Sequence, residues 1–383
     1  PAMREKEYGI WQTITWAEMA EMVQHMACGL HQAGLTRGEH MVVIGSNRPR
    51  LYATMLAAQS LGAIPIPLYQ DAAAPECVFP LNNAEVRFAV VEDQEQVDKL
   101  LEIREQCPQI AHIFFDDPRG LRKYDEPGLA SLEELLAGGA VFAKQHPDFF
   151  IDEVEKAHHD DVGAMFFTSG TTGTPKGIVQ PHAMRWGQIR RGVYPSDSVT
   201  MISTPLYSNT TLALVIPTIA YGGTLHLMPK FDVVGYLERA QKHRITHTML
   251  VPVQYKRLME YEKFDDYDLS SYRLKYCTSA PFAAALKADV LKRWPGGLVE
   301  IYSMTEGGVV CLLQAHEHPD KLHTVGKPGF GVELRSLDEQ GRELPQGEVG
   351  ELWANGPMIV AEYWNNPKAS AETFIDGWVR TGD

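Results

Sequence analysis

The sequence predicts an α/β protein with two layered αβα subdomains of largely parallel sheets and a small β-barrel-like subdomain. Short apolar runs alternate with helix-length amphipathic segments over residues 1–315, a pattern typical of strands covered by helices on both faces. After about residue 320 the helical period disappears and turn-rich β segments follow. We therefore expect three parts of one large domain, at residues 1–195, 196–315 and 316–383.

Local signals support the individual elements in order. Thr15 and Glu18 have the spacing of a capping box, and apolar residues then recur at helical spacing until Gly34. The run Met41–Ile44 predicts a buried strand, and Pro49 begins the next helix. Further strands are expected at Ile64–Leu68, Val86–Val91, Ile110–Phe115, Ala164–Thr168, Val199–Thr204, Thr224–Met228, Thr246–Val251 and Val299–Tyr302. Helices are expected at Val233–His243 and Phe282–Trp294.

Two segments depart from this alternation. Asp116–Asp148 is polar and interrupted by prolines and glycines, so we interpret it as a surface excursion. Val325–Leu337 and Gly347–Ala354 flank the turn-rich Asp338–Gly341 and predict antiparallel β structure.

Composition excludes several classes of protein. The net charge of −14 and pI near 5.5 argue against binding of duplex nucleic acid, which requires a basic surface. The five cysteines are widely separated and form no CxxC pair, so neither a disulfide framework nor a zinc site is expected. No apolar run approaches the roughly 20 residues that span a bilayer, and the polar first residues do not resemble a secretory signal. We expect a cytoplasmic enzyme.

The segment Thr168–Gly177, TSGTTGTPKG, carries the chemistry. It follows an apolar strand and combines glycines, hydroxyl side chains and Lys176, which suits a loop whose amides and hydroxyls surround phosphate oxygens. A Walker P-loop is excluded, because Pro175 occupies the position of its second glycine and Gly177 follows the lysine. The alternative is a flexible polar loop without a ligand.

This segment resembles the phosphate-loop signature of the adenylate-forming superfamily, which contains acyl- and aryl-CoA synthetases, peptide-synthetase adenylation domains and luciferase-like enzymes. Tyr302–Glu306, YSMTE, resembles a second signature of that superfamily, with Ser303 in place of the usual glycine. The other resembling segments, in the family's order, are Ser279-Ala280-Pro281, Gly350-Glu351-Leu352, Tyr363–Pro367 and Arg380–Asp383. The early region resembles fatty-acyl-CoA synthetases, through the segments Gly9–Thr13, Asn47–Pro49 and Pro67–Asp71. The middle region is closer to medium-chain and aromatic acid ligases.

The resemblance implies a reaction in which a carboxylic acid is joined to AMP and then to CoA. It implies that Lys176 neutralises the leaving pyrophosphate, that Thr305 donates to the α-phosphate and that Glu306 binds Mg²⁺. Tyr302 would stack on adenine, and Asp383 would accept the ribose hydroxyls. The remaining expected ATP-binding residues are Thr168, Ser169, Gly170, Thr171, Thr172, Gly173, Thr174, Ser279, Ala280, Pro281, Ser303 and Met304. We interpret His182 as a residue at a helix start, not as a catalyst.

The acid pocket is less well defined, because the family's Pro-aromatic-His segment is represented by Pro205–Asn209 without a histidine. The expected pocket residues are Tyr207, Ser208, Asn209, Val251, Gly307 and Gly308. Small glycines leave room for a chain or a ring, and no charge is placed for a polar substrate tail. The sequence therefore favours a hydrophobic fatty or aromatic acid.

The resemblance also implies a hinge and a small C-terminal lid domain after Asp383, with a second lysine, so we expect this chain to form adenylate slowly by itself. Two alternatives stay open: an adenylation domain that loads a carrier-protein thiol, and a nucleotide-binding scaffold without turnover. The expected partners are a small carboxylic acid, ATP and CoA, and a homodimer is left open.

Overall fold

The computed structural model describes residues 1–169, 174–190 and 194–383. Contacts divide the chain into two compact units. The first comprises residues 1–183, 205–208 and 363–365, and the second comprises residues 184–204, 209–362 and 366–383. The predicted division at residues 195 and 315 stays a prediction.

The first fifteen helices and strands belong to the first unit. The strands are β1 (Met3–Glu7), β2 (Ile10–Ile14), β3 (His40–Ile44), β4 (Ile64–Leu68), β5 (Phe88–Val91), β6 (His112–Phe115), β7 (Leu129–Ser131), β8 (Val162–Ser169) and β9 (Pro175–Pro181). The helices are α1 (Trp16–Gln32), α2 (Pro49–Ser60), α3 (Ala74–Asn83), α4 (Gln94–Glu102), α5 (Leu132–Gln145) and α6 (Phe149–Glu155).

Most of the later elements belong to the second unit. The helices are α7 (His182–Ile189), α8 (Asn209–Ala220), α9 (Val233–Lys242), α10 (Pro252–Met259), α11 (Ala284–Arg293) and α12 (Pro367–Thr373). The strands are β10 (Val199–Ile202), β11 (Thr224–Leu227), β12 (His247–Leu250), β13 (Leu274–Cys277), β14 (Gly297–Met304), β15 (Gly308–Gln314), β16 (Lys327–Pro328), β17 (Glu333–Leu337), β18 (Glu351–Asn355), β19 (Tyr363–Trp364), β20 (Phe374–Ile375) and β21 (Trp378–Arg380).

A parallel five-stranded sheet in the order β4-β3-β5-β6-β7 forms the centre of the first unit. Val42 and Ile44 pack in one cluster with Leu81 of α3 and Leu100 of α4. Met41 and Val43 point to the opposite face and are also fully buried, as expected for a strand covered on both sides. The predicted capping box of Thr15 and Glu18 is confirmed at the start of α1.

The interpretation of Asp116–Asp148 as a surface excursion is wrong for its second half, because residues 129–131 form β7 and residues 132–145 form α5. Glycines allow α5 to approach α1 closely. A Cβ added to Gly139 would lie 1.7 Å from the His25 carbonyl oxygen, and one added to Gly29 would lie 2.4 Å from the Leu135 carbonyl oxygen. The missed signal was a second capping box, in which Ser131 and Glu134 bond reciprocally.

The second unit is built around strands in the order β16-β15-β14-β13-β12-β10-β11. The strands from β11 to β14 pair in parallel, whereas β14, β15 and β16 pair antiparallel. The antiparallel part packs through Val310 and Cys311 against Ala354 and Val379 of the sheet β17-β18-β21-β20. The β-rich segment predicted after residue 320 is therefore confirmed, as an open four-stranded sheet. Over residues 333–380, all of them described, β17 and β20 do not pair to close a barrel.

Candidate active site

The predicted phosphate loop joins two antiparallel strands of the first unit. In the β8–β9 hairpin Lys176 lies opposite Thr168, and Pro175 lies opposite Ser169. Thr174 is exposed beside the turn. The predicted phosphate-binding residues Gly170, Thr171, Thr172 and Gly173 lie outside the described residues, as does the side chain of Ser169. The hairpin thus places a lysine and a threonine side by side at the base of the loop.

A third strand, from a distant part of the chain, supports this hairpin. Tyr363 and Trp364 of β19 pair antiparallel with Ile178 and Gly177 of β9. The Lys176 ammonium lies 4.8 Å from the centre of the Tyr363 ring, a cation–π geometry. A Cβ at Gly177 would lie 3.2 Å from the Trp364 side chain, so glycine permits this close pairing. Tyr363 and Trp364, which were recognised in the sequence only by resemblance, therefore support β9, the strand that follows the predicted phosphate loop.

Trp364 also attaches β19 to α3. Its indole Nε1 donates to the Asn83 carbonyl oxygen at 3.0 Å, and the Asn365 amide donates to the same oxygen at 3.0 Å. These bonds satisfy a carbonyl at the C-terminal end of α3.

Tyr207, a predicted wall of the acid pocket, is half-buried in the first unit. Its ring centre lies 4.8 Å from that of Tyr69, whose hydroxyl donates to Asp71 at 3.1 Å. Tyr69 and Asp71 belong to the Pro67–Asp71 segment that resembles fatty-acyl-CoA synthetases. The pairing gives Tyr207 an aromatic partner that sequence spacing did not indicate.

In the second unit, Ser279, Ala280 and Pro281 follow β13 and are exposed. Ser279 has a φ of 77°, a left-handed conformation that costs a non-glycine residue roughly 1–2 kcal/mol. This explains the glycine usual at the corresponding family position. The Ser279 hydroxyl lies 3.1 Å from the Thr210 hydroxyl. This hydrogen bond offsets part of the conformational cost of the left-handed backbone.

The second signature lies at the turn between β14 and β15. Ser303 and Met304 end β14, Thr305 and Glu306 form the turn, and the main chain re-enters β15 at Gly308, whose φ of 63° suits glycine. The Glu306 carbonyl accepts from the Val360 amide at 2.8 Å. The Ser303 hydroxyl lies 3.0 Å from that of Thr278 at the end of β13. These bonds tie the signature to the neighbouring strand ends.

Tyr302 and Asp383 come together at the same turn. The Tyr302 hydroxyl donates to Asp383 Oδ2 at 2.6 Å, and burial together with this carboxylate raises the pKa of Tyr302 to about 12. The Asp383 carbonyl accepts from the Leu352 amide at 3.0 Å, which attaches the Arg380–Asp383 segment to β18. The structure therefore brings together two residues that were predicted to bind adenine and ribose.

A cavity of about 320 Å³ lies in the second unit, against the sheet that contains β12, β13, β14 and β15. Its floor is a row of residues directly opposite one another on four strands: Met249, Tyr276, Val299 and Gln314. The other lining residues are Gln188, Tyr194, Ala213, Leu214, Pro217, Leu274, Ile301, Val309, Leu312 and His316. Most of this lining is apolar, which suits a hydrophobic ligand.

Strand geometry leads from this cavity to the signature turn. Val299 and Ile301 lie on one face of β14 because side chains alternate, and Ser303 pairs with Val309 after a β-bulge between Tyr302 and Ser303. Val299 and Ser303 are separated by about 13 Å of extended strand. The described lining of the cavity therefore reaches Ile301, two residues before Ser303, and Val309, the residue after Gly308.

None of the six predicted pocket residues is in the described lining of this cavity, and the assignment of Tyr207 stays a prediction. Gly307 and Gly308 precede Val309, Val251 follows Met249 by two residues, and Asn209 begins α8. Their assignment, like that of Ser208, stays a prediction. Sequence reasoning did not select Gln188, Tyr276 or Ile301. Alternation along the predicted strand Val299–Tyr302 could have indicated Ile301, whereas the strand that contains Tyr276 was not predicted.

The Thr305–Glu306 turn suits Mg²⁺ better than it suits a metal whose ligands all come from protein side chains. Among the described residues, no three His, Cys, Asp or Glu side chains are grouped as metal ligands. Mg²⁺ commonly binds one or two carboxylates and completes its shell with water and phosphate oxygens. Glu306, as a single carboxylate at the turn, is compatible with that mode.

The fold and these segments define an adenylate-forming enzyme. The chain belongs to the AMP-binding enzyme family, whose pattern covers residues 1–364. It is 31% identical over 379 residues to a feruloyl-CoA synthase of Amycolatopsis sp, covering 97% of this chain and 70% of that relative. It is 27% identical over 377 residues to a medium/long-chain fatty-acid–CoA ligase of Mycobacterium tuberculosis, covering 97% and 64%.

A solved structure shows the same similarity. The ATP-bound MatB from Rhodopseudomonas palustris matches with a TM-score of 0.85 and 26% identity, over 100% of this chain and 72% of that chain. The predicted family, the α/β fold and the enzyme class, an AMP-forming acid–CoA ligase, are confirmed. No helix in the described part of the chain is long and apolar enough to cross a membrane.

Proposed function

We propose that this chain activates a hydrophobic carboxylic acid, an aromatic acid in the first place, as its acyl-AMP and that CoA is the acceptor. The observation that carries this proposal is the apolar cavity, whose lining includes Val299 and Ile301 of β14 and Val309 of β15, close in the chain to the signature turn. An acid whose hydrophobic part fills the cavity would hold its carboxylate beside Thr305.

The proposed reaction has two steps, formation of the acyl-AMP and transfer of the acyl group to CoA. A carboxylate oxygen bonds to the α-phosphorus of ATP while the bond to pyrophosphate breaks. The CoA sulfur then bonds to the acyl carbon, AMP leaves, and the thiol proton is released. Negative charge accumulates on phosphate oxygens in the first step, so fixed donors lower its barrier most effectively. Lys176 and the Thr305 hydroxyl are the donors proposed for this purpose.

Tyr302 and Asp383 form the proposed nucleoside site. Asp383 Oδ2 accepts from Tyr302, which leaves Oδ1 for the ribose hydroxyls. Ser279, Ala280 and Pro281 form an exposed turn suited to one face of adenine. Glu306 would hold Mg²⁺, which neutralises phosphate charge when it is bound.

The cavity favours particular acids. Its volume of about 320 Å³ is at the small end of the roughly 300–1,000 Å³ of ligand pockets, which favours an aromatic or medium-chain acid over a long-chain one. Tyr194 and Tyr276 stack with ring centres 6.3 Å apart along its wall, and flat aromatic walls suit a flat substrate. The similarity to a feruloyl-CoA synthase supports an aromatic acid, and that to a fatty-acid ligase keeps a medium-chain acid as second candidate.

The test uses the full-length protein and a panel of aromatic and C6–C16 fatty acids. Adenylates are detected by mass spectrometry and pyrophosphate release is measured with ATP. Ala213 lines the cavity, so Ala213→Phe should lower kcat/KM for the preferred acid at least about tenfold while KM for ATP stays within twofold. Ala285→Phe, at an exposed position of α11, is the matched control. Equal loss with both variants, or adenylation of none of the acids, would refute the proposal.

The acceptor is tested separately. Product formation is compared between CoA and a carrier-protein thiol at equal thiol concentration. The proposal expects CoA to be at least about tenfold more efficient, and the reverse result would establish carrier loading.

A further inference from the structure

Arg185 is a buried cation next to the acid cavity. It lies on α7, its residue is 5% exposed, and burial lowers its pKa to about 9, so it remains charged at neutral pH. Its Nη2 donates to the Asn209 side-chain oxygen at 2.7 Å, and its Nη1 donates to Gln188 Oε1 at 3.3 Å. Arg185 therefore links α7 to the first residue of α8.

These contacts fix the orientation of the Gln188 amide. An arginine guanidinium has donors only, so it must meet the oxygen of the amide, never its nitrogen. Arg185 and Gln188 are three residues apart on one helix, which places their side chains on the same face. The Nε2 group then becomes the part of the Gln188 amide that is available to the cavity that Gln188 lines.

The cavity has four other polar side chains, Tyr194, Tyr276, Gln314 and His316, and Gln314 belongs to the strand floor opposite the helices. The rings of Tyr194 and Tyr276 stack on each other. His316 uses Nδ1 with the Leu298 main chain, on the sheet side. The helix-side wall is otherwise apolar, with Ala213, Leu214 and Pro217 of α8. A donor held in an apolar wall discriminates strongly, because it is left unsatisfied when the ligand lacks an acceptor.

We propose that Gln188, oriented by Arg185, is a specificity-determining residue that donates a hydrogen bond to an oxygen on the hydrophobic part of the substrate. The substrate class is then an oxygenated aryl acid, with a ring hydroxyl or methoxy group, in preference to the unsubstituted acid. This inference rests on the proposed function, since it requires that the acid occupies this cavity.

The experiment measures a ratio in the full-length protein. Cinnamic acid is compared with its 2-, 3- and 4-hydroxy and methoxy derivatives by ATP-dependent pyrophosphate release. The selectivity ratio is kcat/KM for the best oxygenated acid divided by kcat/KM for cinnamic acid. We expect a ratio of at least about ten for the wild-type protein, a fall of about tenfold in Gln188→Leu, and a similar fall in Arg185→Met. Arg185→Lys keeps a donor and should retain most of the preference.

Two further variants make the result specific. Arg185→Met combined with Gln188→Leu should lower the ratio no further than Gln188→Leu alone, because both act through one amide. Gln241→Leu, at an exposed glutamine of α9, should leave the ratio unchanged. If the wild-type protein activates these acids without preference, or if Gln188→Leu keeps the preference, the inference is wrong. Activation of no acid by the wild-type protein would instead overturn the proposed function.

Discussion

Tyr302 donates a hydrogen bond of 2.6 Å to Oδ2 of Asp383, which lies 81 residues further along the chain. The raised pKa of Tyr302 keeps its hydroxyl protonated, hence a donor, throughout the physiological range. The bond orients the carboxylate and leaves its second oxygen for a ligand. Two sequence signatures that lie far apart in the chain thus meet in one hydrogen-bonded pair, the proposed nucleoside site.

Tyr302→Phe removes this donor while keeping the ring. A hydrogen bond to a charged group contributes about 1.5–3 kcal/mol, part of which is retained through other contacts of Asp383, so we expect KM for ATP to rise about three- to tenfold. KM for the acid should stay within twofold. Pyrophosphate release at varied ATP measures both, with Tyr221→Phe as control, since the Tyr221 hydroxyl donates to Ile189 away from this turn. An unchanged KM for ATP would contradict the nucleoside site.

Glu306→Gln removes the proposed Mg²⁺ carboxylate with little change in shape. We expect kcat to fall about 100-fold and the Mg²⁺ concentration for half-maximal rate to rise about tenfold, because an amide is a weaker ligand for a hard cation. The rate is titrated with Mg²⁺ at saturating ATP. The exposed Glu317→Gln serves as the control. A wild-type Mg²⁺ dependence in Glu306→Gln would exclude this carboxylate as the ligand.

Trp364→Ala tests the support of the phosphate loop by β19. Loss of a packed tryptophan and of its bond to Asn83 should lower the free energy of unfolding by about 3 kcal/mol and kcat/KM for ATP by about tenfold. Urea denaturation and pyrophosphate release provide the two measurements. Trp186→Ala, at a tryptophan that is 58% exposed, should change stability by less than about 0.5 kcal/mol. Equal effects of both substitutions would argue against a buttress.

Gly139→Ala tests the close approach of α5 to α1. The added Cβ meets a backbone carbonyl oxygen, so the helices must separate, at a cost of about 3 kcal/mol. The adjacent Gly138→Ala meets only a glutamine side chain at 3.6 Å and should stabilise the helix by about 0.5–1 kcal/mol. Urea denaturation of this matched pair should give opposite signs, and the same sign for both would refute the packing argument.

The buried carboxyl of Glu300 should make the free energy of unfolding depend on pH. Burial raises the pKa of this carboxyl, although the ion pair with Lys287 opposes the shift. The native state therefore retains a proton that the unfolded chain has released. This contribution to stability is full below about pH 4.5 and is lost as the pH rises through the native pKa.

The unfolding free energy of the wild-type protein relative to Glu300→Gln should consequently decrease from pH 4.5 to pH 7. Denaturant unfolding at several pH values measures this difference, and Glu348→Gln, at an exposed position, should show no such trend. A relative stability that increases with pH would mean that the ion pair lowers the pKa.

Local signals predicted most of the strands because each buried parallel strand is a short apolar run. Met41–Ile44 lies within β3, and Thr224–Met228 differs from β11 by one residue. The helix α5 was missed because Gly138 and Gly139 were interpreted as loop residues. Only the neighbouring helix, which cannot be identified from the sequence, explains why a glycine is required at position 139.

In the candidate site, too, some features could be predicted from the sequence and others depend on how distant elements pack. Signature residues such as Thr305 and Glu306 could be identified by resemblance, and they lie between β14 and β15, but their roles stay predictions. The cavity could not, because its floor depends on the register of four strands and its helix-side wall on how α7 and α8 pack. The Arg185–Gln188 contact, in particular, follows from a helix that begins immediately after β9.

The pairing of β19 with β9 also sets an order for events during synthesis. Trp364 follows Gly177 by roughly 190 residues, so a ribosome adding about 5–20 residues per second needs about 10–40 s to supply the missing strand. During that interval the edge of β9 lacks its native partner, and unpaired edges are where chains associate wrongly. Nascent chains of this enzyme should therefore be most vulnerable to aggregation before residue 364 emerges, and a chaperone that shields β9 would act in that window.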